Sequence, residues 1–223
     1  MMNLQKVLTI ISFLLLAMTV SAQVSYWDHE RNNPYIDLRR AMLEKEAKSK
    51  ERHLYVKTNA VELAAAIANL AVEVDLGNRM SINFPLSYSA WDYFIPDTQF
   101  RILKFQPEFR YWLPEVDGLF VGVHAGVAWL NCALGGDWRY QDHGWDTPVY
   151  GGGLGVGYRK AISRNERWFV EFSLGAGVYR MDYDKFRNEP DGEWVGRYKR
   201  YYYGIDNVSI SLAYRLFKLT KKK

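Results

Sequence analysis

A chain of 223 residues with a formal net charge of +4 is too weakly basic to indicate a nucleic-acid partner. Its one cysteine, Cys132, excludes an intramolecular disulfide, and its length suits a single domain. The 17 glycines, 16 tyrosines and 8 tryptophans favour packed strands and the aromatic belts found at membrane interfaces.

The first 22 residues have the pattern of a cleavable secretory signal. Lys6 precedes an uncharged apolar run from Val7 to Val20, which ends in the small residues Ser21 and Ala22. We therefore expect export and cleavage after Ala22. The run is too short for a comfortable membrane-spanning helix, and no later stretch approaches the required length.

Residues 23–53 are expected to form a periplasmic N-terminal arm. From Tyr35 to Arg52 the composition favours a short surface helix, with Leu38 and Met42 on one stripe among many charged residues. A disordered linker ahead of the main domain is equally compatible with this composition.

Residues 54–217 contain eight strand candidates, and a basic tail, 218–223, follows them. The even count predicts an all-β fold: an eight-stranded antiparallel up-and-down transmembrane β-barrel with a short N-terminal helix. The candidates are 54–65, 70–76, 80–88, 103–112, 119–130, 149–160, 167–183 and 208–217.

Two-residue alternation marks seven of these segments. In the seventh, Trp168, Phe172 and Leu174 share one face, and Glu171 and Gly175 lie on the other. The first segment fits neither register over its whole length, so a bulge or bend is expected there.

The connections alternate in length, as they do in small outer-membrane barrels. Short links are predicted at 77–79, 113–118 and 161–166, and long external loops at 89–102, 131–148 and 184–207. Only the short link between the first two strands departs from this rule. Aromatic residues near the strand ends predict two interface belts.

Residue volume decides which face is internal, because eight strands enclose little space. Large apolar side chains would overfill the interior, whereas glycines such as Gly122 and Gly155 leave room for charged partners. A soluble, lipocalin-like binding barrel with the apolar face inside is the less favoured alternative.

The predicted lumen charge network contains Glu73, Asp75, Lys104, Glu108, Arg110, Arg159, Glu171 and Arg215. Because these charges balance, we expect a filled lumen and no open pore.

Several segments resemble an uncharacterised family of Bacteroidetes outer-membrane barrels, a domain of unknown function often found beside fimbria-related proteins. They are residues 57–60 (KTNA), 106–112 (QPEFRYW), 120–125 (FVGVHA) and 181–185 (MDYDK). The resemblance covers about residues 54–217 and implies the outer membrane without implying an activity or any catalytic residue. Outer-membrane proteins usually end in an aromatic residue. Here Tyr214 and Phe217 are the candidate signal for the barrel-assembly machinery, although six residues follow Phe217.

Two loops carry candidate chemistry. Asp137, Asp142, His143 and Asp146 offer metal ligands or acid–base groups, but their spacing matches no specific motif and is typical of turns. A lipid-modifying outer-membrane enzyme, acyltransferase or deacylase, would need Ser87 or Ser89 beside His143 and Asp142. No cofactor, metal or catalytic residue is predicted.

The last loop contains a basic and aromatic patch, which is a candidate surface-binding loop for lipid heads, a surface glycan or a fimbria-related protein. Its members are Arg197, Tyr198, Lys199, Arg200, Tyr201, Tyr202 and Tyr203. The sequence therefore predicts an outer-membrane barrel with a structural, adhesion-related or envelope-interaction role rather than an enzyme. Its expected partners are outer-membrane lipid and the assembly machinery.

Overall fold

A computed structural model describes residues 38–43, 52–95, 97–189 and 191–218. The chain divides into two compact units, residues 1–50 and 51–223. The first contains one described helix, α1, residues 38–43, which lies within the predicted helical stretch. The predicted signal, residues 1–22, and the tail beyond Lys218 lie outside the described residues. No helix among the described residues is long and apolar enough to cross a membrane.

The second unit is built from strands and one short helix, α2 (Ala60–Ala64). The strands are β1 (His53–Asn59), β2 (Ala68–Gly77), β3 (Met80–Ile95), β4 (Thr98–Phe105), β5 (Glu108–Trp112), β6 (Leu119–Leu134), β7 (Trp138–Asp142), β8 (Val149–Ala161), β9 (Trp168–Arg187) and β10 (Trp194–Lys218).

These strands form a closed antiparallel ring. β4 and β5 follow each other between β3 and β6, and β7 and β8 follow each other between β6 and β9, so the ten strands occupy eight positions. The ring closes where β1 pairs with β10, from His53 opposite Lys218 to Asn59 opposite Ser211. The all-β, antiparallel, eight-position arrangement predicted from the sequence is confirmed.

The two faces of the ring differ in polarity in the direction that the volume argument predicts. Outward side chains form an apolar belt, exposed to between 40 and 70% at Phe84, Leu154 and Leu174. Inward side chains are polar or charged and buried, as at Lys57, Glu73 and Ser209. A lipocalin-like barrel would require the reverse.

The ring has two distinct ends. The lower end carries three turns, residues 78–79, 113–118 and 162–167, and the upper end carries α2 and the tip of the β9–β10 hairpin. The apolar belt reaches upward to Tyr88, Tyr150 and Tyr201, which are exposed by 50–61%. In the turn at 78–79, Asn78 and Arg79 have φ of 54° and 66°, the paired positive values of a type I′ hairpin turn.

The prediction that the first strand continues to residue 65 is wrong. β1 ends at Asn59, whose side chain accepts a hydrogen bond from the Val61 amide and so caps α2. The alanine-rich segment that follows has high helix propensity. The register that the sequence leaves open is now clear: Tyr55 and Lys57 point inward and are buried.

The long external loops predicted at 89–102, 131–148 and 184–207 are largely strand. β3 runs to Ile95 and β4 begins at Thr98, while β9 and β10 contain 20 and 25 residues. Above the belt both faces of a strand mix polar, aromatic and apolar residues, so the two-residue alternation that marks the lower halves disappears. The predicted fourth strand, 103–112, is interrupted at Gln106-Pro107, because Pro107 has no N–H for the ladder.

Candidate functional site

Six buried charges form a cluster across the middle of the ring. Lys57 Nζ lies 2.7 Å from Glu73 and 3.0 Å from Glu171. Arg110 Nη1 lies 2.8 Å from Glu171, and its Nε donates to Glu108 at 2.6 Å. The side chains of Lys57, Glu73, Arg110 and Glu171 are no more than 3% exposed. We call the six residues the charge cluster: Lys57, Glu73, Glu108, Arg110, Arg159 and Glu171.

Arg159 completes the cluster by pairing with both central acids. Its Nε donates to Glu171 at 2.7 Å, and its Nη2 pairs with Glu73. The cluster therefore contains three bases and three acids, and it carries no net charge when all six ionise. Buried charges that are paired and multiply hydrogen-bonded in this way remain ionised without a solvent channel.

Aromatic and hydroxyl groups close the lower side of the cluster. Arg110 lies 4.2 Å from the centre of the Phe120 ring, and Arg159 lies 4.7 Å from Tyr55 and 4.6 Å from Trp112. Ser81 donates to Glu73 at 2.8 Å and accepts from the Trp112 indole at 3.0 Å. Phe120 has no exposed surface, so the interior is packed below the charges.

Glycines on the facing strands make room for these large side chains. A β-carbon at Gly155 would lie 2.9 Å from Glu108 Oε1, and one at Gly126 would lie 2.9 Å from the Tyr179 hydroxyl. At Gly157 it would overlap the Phe120 ring. The sequence argument that interior glycines make space for bulky polar partners therefore describes real contacts.

The structure brings together five of the eight charges assigned to the lumen from the sequence: Glu73, Glu108, Arg110, Arg159 and Glu171. The other three form pairs nearer the ends. Asp75 Oδ2 lies 3.2 Å from His53 Nδ1, and Lys104 Nζ lies 2.7 Å from Glu62 Oε1 of α2. Arg215 Nη2 lies 3.9 Å from Glu166 Oε2. Lys57 is the cluster member that the network assignment omitted, because the parity of β1 was obscured by residues that belong to α2.

A second polar group lies above the charge cluster. His124 Nε2 and Asp206 Oδ2 are 2.6 Å apart, and Gln106 donates to the Tyr179 hydroxyl at 2.9 Å. Asp206 was assigned to a loop from the sequence, but it lies at a bulge in β10 between Ile205 and Asn207 and points inward. His124 also faces the interior and is buried.

The cavities around these groups are small. One of about 50 Å³ is lined by charge-cluster residues together with His124 and Ser209, and another of about 160 Å³ is lined by Gln106, Tyr179 and Asp206 among others. Sites for organic ligands usually enclose roughly 300–1,000 Å³. These two cavities suit a few waters or a very small molecule.

The residues considered for acid–base or metal chemistry have other partners. Ser87 donates to Glu62 at 2.7 Å, Ser89 donates to the Phe100 carbonyl at 2.9 Å, and His143 Nδ1 lies 2.8 Å from Asp184. Asp142 accepts from the Leu130 amide at 2.7 Å, and burial raises its pKa. Among the described residues no three His, Cys, Asp or Glu side chains are grouped as metal ligands, and Asp137 and Asp146 belong to no such group.

The basic and aromatic patch, residues 197–203, lies on β10 and not in a loop. Arg197 donates two hydrogen bonds to Asp182 of β9, and Lys199 Nζ lies 3.6 Å from the same carboxylate. These hydrogen bonds and charges hold the pKa of Asp182 at about 2. The rest of the patch alternates between Tyr201 and Tyr203, which are 61% and 71% exposed, and Tyr198, Arg200 and Tyr202 on the other face.

The two candidate assembly residues lie on the closing strand near the lower end. Tyr214 packs against Trp168 with ring centres 4.7 Å apart, and Phe217 is 54% exposed on the outer face. Both therefore belong to the outward surface of β10, close to its pairing with β1.

These features define a class of protein: an all-β chain whose strands close into a ring with an apolar exterior and a charged, filled interior. The family model described as "Protein of unknown function (DUF3575)" matches residues 37–216, and the chain belongs to that family. The resemblance to an uncharacterised family is thus confirmed, although the match gives no organism and no fimbrial context. Comparison with curated proteins and with solved structures finds no match.

Proposed function

We propose that this protein is an outer-membrane β-barrel with a structural or envelope-interaction role, adhesion included, and that it does not transport solutes. The observation that carries the proposal is the reversed polarity of the ring. Apolar side chains such as Leu154, Val208 and Leu174 are 48–70% exposed all around it, and charged ones are buried inside. A continuous apolar surface of this size requires a cover, and lipid covers every side of a closed ring.

The height of the apolar belt fits a bilayer. On β9 it extends from Trp168 to Val178, eleven positions along the strand. At about 3.3 Å per residue and a tilt near 40°, eleven residues rise about 28 Å, close to the 25 Å apolar band of outer-membrane barrels. The predicted secretory signal supplies the export that this location needs.

The charge cluster supports a role other than transport. Arg110, Arg159 and Lys57 reach the same two carboxylates, Glu73 and Glu171, from different strands, and aromatic rings pack beneath them. Opening a path would expose these charges in a narrow interior, and removing one partner would leave another unpaired. The partners of the apolar outer surface are outer-membrane lipids. We assign Tyr214 and Phe217 to recognition by the assembly machinery.

Fractionation and gel migration test the location. We expect the protein in the outer-membrane fraction and a folded form that migrates differently on gels until it is heated. A matched pair of variants sharpens the test: Leu174→Arg lies in the middle of the belt, and Leu134→Arg lies at the upper tip of β6, where the side chain is 74% exposed. Leu174→Arg should destabilise the folded form by about 2–4 kcal/mol, and Leu134→Arg by less than about 1 kcal/mol.

Recovery of the wild-type protein in the soluble periplasm would refute the proposal. Equal stability of the two arginine variants would refute it too, because a solvated surface tolerates arginine at either position.

A further inference from the structure

The ring wall has a gap at its upper end. The ladder between β1 and β10 stops at Asn59 and Ser211, and the ladder between β2 and β3 stops at Ala68 and Tyr88. β10 continues upward from Ser211 to Trp194 with β9 as its only neighbouring strand among the described residues. One edge of the upper half of β10 is therefore unpaired.

The helix α2 contacts β10 and covers the lower part of this edge. Asn59 assists there, since its side-chain amide donates to the Val208 carbonyl at 3.4 Å and its oxygen accepts from the Ile210 amide at 3.2 Å. From Tyr201 up to Val195, no other strand or helix in the described part of the second unit takes this place. At about 3.3 Å per residue the uncovered edge is roughly 20 Å long.

The backbone groups on this edge can be assigned from the hairpin. Arg187 N–H donates to the Glu193 carbonyl across the tip, so odd-numbered residues of upper β9 direct their hydrogen bonds towards β10. Their partners in register on β10 are even-numbered: Tyr198 opposite Tyr183 and Arg200 opposite Met181. The intervening residues, Arg197, Lys199 and Tyr201, therefore present their N–H and C=O groups to the open side.

Charge distinguishes between the possible occupants of the edge. β10 carries three bases, Arg197, Lys199 and Arg200, and no acid between Trp194 and Tyr203. Antiparallel pairing of this edge with a second copy would bring like charges together, which is destabilising, and edge lysines commonly prevent such self-association. Arg197 and Lys199 share the single carboxylate of Asp182, which leaves one positive charge in excess, and the Lys199 side chain is 59% exposed. Acidic side chains on an added strand would complement that charge.

We propose that the upper edge of β10, from Val195 to Tyr201, binds an extended, acidic segment of a partner protein by β-strand addition. Main-chain hydrogen bonds to residues 197, 199 and 201 provide the affinity, and the outward basic side chains select acidic residues on the added strand. The exposed rings of Tyr201 and Trp194 flank the same edge and would pack against it.

The probe is a fluorescent ten-residue peptide in which Glu alternates with Val and Thr, added to the purified protein in micelles and followed by anisotropy. We expect binding that weakens about tenfold or more when alternate peptide nitrogens are methylated or when Glu is replaced by Lys. Methylation removes donors without changing charge, so it separates strand addition from simple attraction.

Variants of the protein test the same edge. Lys199→Pro removes an N–H that faces the open side and should abolish binding, while Lys199→Ala keeps that N–H and should weaken binding only a few-fold. Arg200→Ala removes an equal charge from the other face and should leave affinity nearly unchanged. Heat-modifiable migration of each variant reports that the ring has folded.

Three results would overturn the proposal. The first is equal binding of the methylated peptide, or no binding of the parent peptide. The second is that phosphatidylglycerol vesicles displace the peptide equally from the wild-type and Lys199→Pro proteins. The patch would then be a binding site for lipid head groups. The third is a wild-type dimer in sedimentation that Lys199→Pro dissociates, because the edge would then be occupied by a second copy.

Discussion

Asp182 and Arg197 form a two-bond ion pair across the β9–β10 hairpin above the apolar belt. Arg197 Nε donates to Oδ1 at 2.7 Å, and Nη2 donates to Oδ2 at 2.6 Å. A guanidinium that holds both oxygens of a carboxylate fixes the two strands in register as well as attracting the charge. This pair makes the upper hairpin sensitive to acid.

The pH at which this pair breaks can be measured. The folded pKa of Asp182 is about 2, below its ordinary value of 3.8, so its contribution to stability is fully present above pH 4 and is lost as pH falls towards 2. A carboxyl-carbon NMR titration should give a midpoint near 2, and Arg197→Gln should return it towards 3.8. A wild-type midpoint near 3.8 would contradict the pairing.

Removing one acid from the charge cluster should strongly destabilise the folded protein. Glu73→Gln leaves Lys57 and Arg159 short of a buried partner, and we expect a loss of about 3–5 kcal/mol in the free energy of unfolding. Guanidinium unfolding in micelles, followed by tryptophan fluorescence, measures this loss. The double variant Lys57→Met/Glu73→Gln removes one charge of each sign and should recover part of it.

Asp75→Asn is the control for the cluster. Asp75 pairs with His53 at the lower end, where the two side chains are 18% and 12% exposed and water compensates for a lost partner. We expect Asp75→Asn to lower the free energy of unfolding by less than about 1 kcal/mol. Equal costs for Glu73→Gln and Asp75→Asn would show that the six charges do not act as a buried unit.

Glycine substitution should separate close strand contacts from open positions. A β-carbon at Gly153 would lie 2.6 Å from the Gly177 Cα, a backbone atom that cannot move aside. Gly153→Ala should therefore cost about 1–3 kcal/mol. At Gly196 the nearest atom would be Tyr198 Cε2 at 3.6 Å, so Gly196→Ala should be neutral within about 0.5 kcal/mol in the same unfolding experiment.

Planar-bilayer recording tests whether the interior is closed. Wild-type protein should show no steady single-channel conductance, because the charge cluster and Phe120 fill the ring. The double variant Arg159→Ala/Glu171→Ala removes two large, mutually paired side chains and should conduct small ions if it folds. Steady wild-type currents would exclude the closed interior.

The thiol of Cys132 should react slowly in the folded protein. Burial on upper β6 raises its pKa to about 11, from an ordinary value of 9.0, and the neighbouring Asp142 adds to the rise. At pH 8 the folded thiol should contain about 100-fold less thiolate than the unfolded one. Iodoacetamide labelling with and without denaturant compares the two rates, and similar rates would contradict the burial.

The sequence predicts the lower half of the ring well because each strand there has an exposed apolar face and a buried polar face. Residues such as Phe172 and Glu171 alternate under that constraint, and their positions in the structure agree. Where both faces mix basic and aromatic residues, as along residues 194–203, the alternation no longer indicates a strand. Strand length above the belt could therefore not be predicted.

Two interior residues illustrate the same limit. The orientation of Lys57 is ambiguous from the sequence because the predicted first strand includes the alanine-rich stretch after Asn59, and that stretch is helix α2. Asp206 points inward only because a bulge between Ile205 and Asn207 shifts the register by one position. A bulge depends on tertiary pairing and leaves no mark in residue periodicity.

The pairing of β1 with β10 has a consequence for how the protein is made. Asn59 and Val208 are bonded although 149 residues separate them, so the first strand must wait for the last before the circle is complete. A chain shortened before Val208 would leave β1 and the lower part of β9, residues 168–174, without a neighbour on one side. Completion of synthesis, and not the forming of any local hairpin, is thus the event that commits this protein to its final shape.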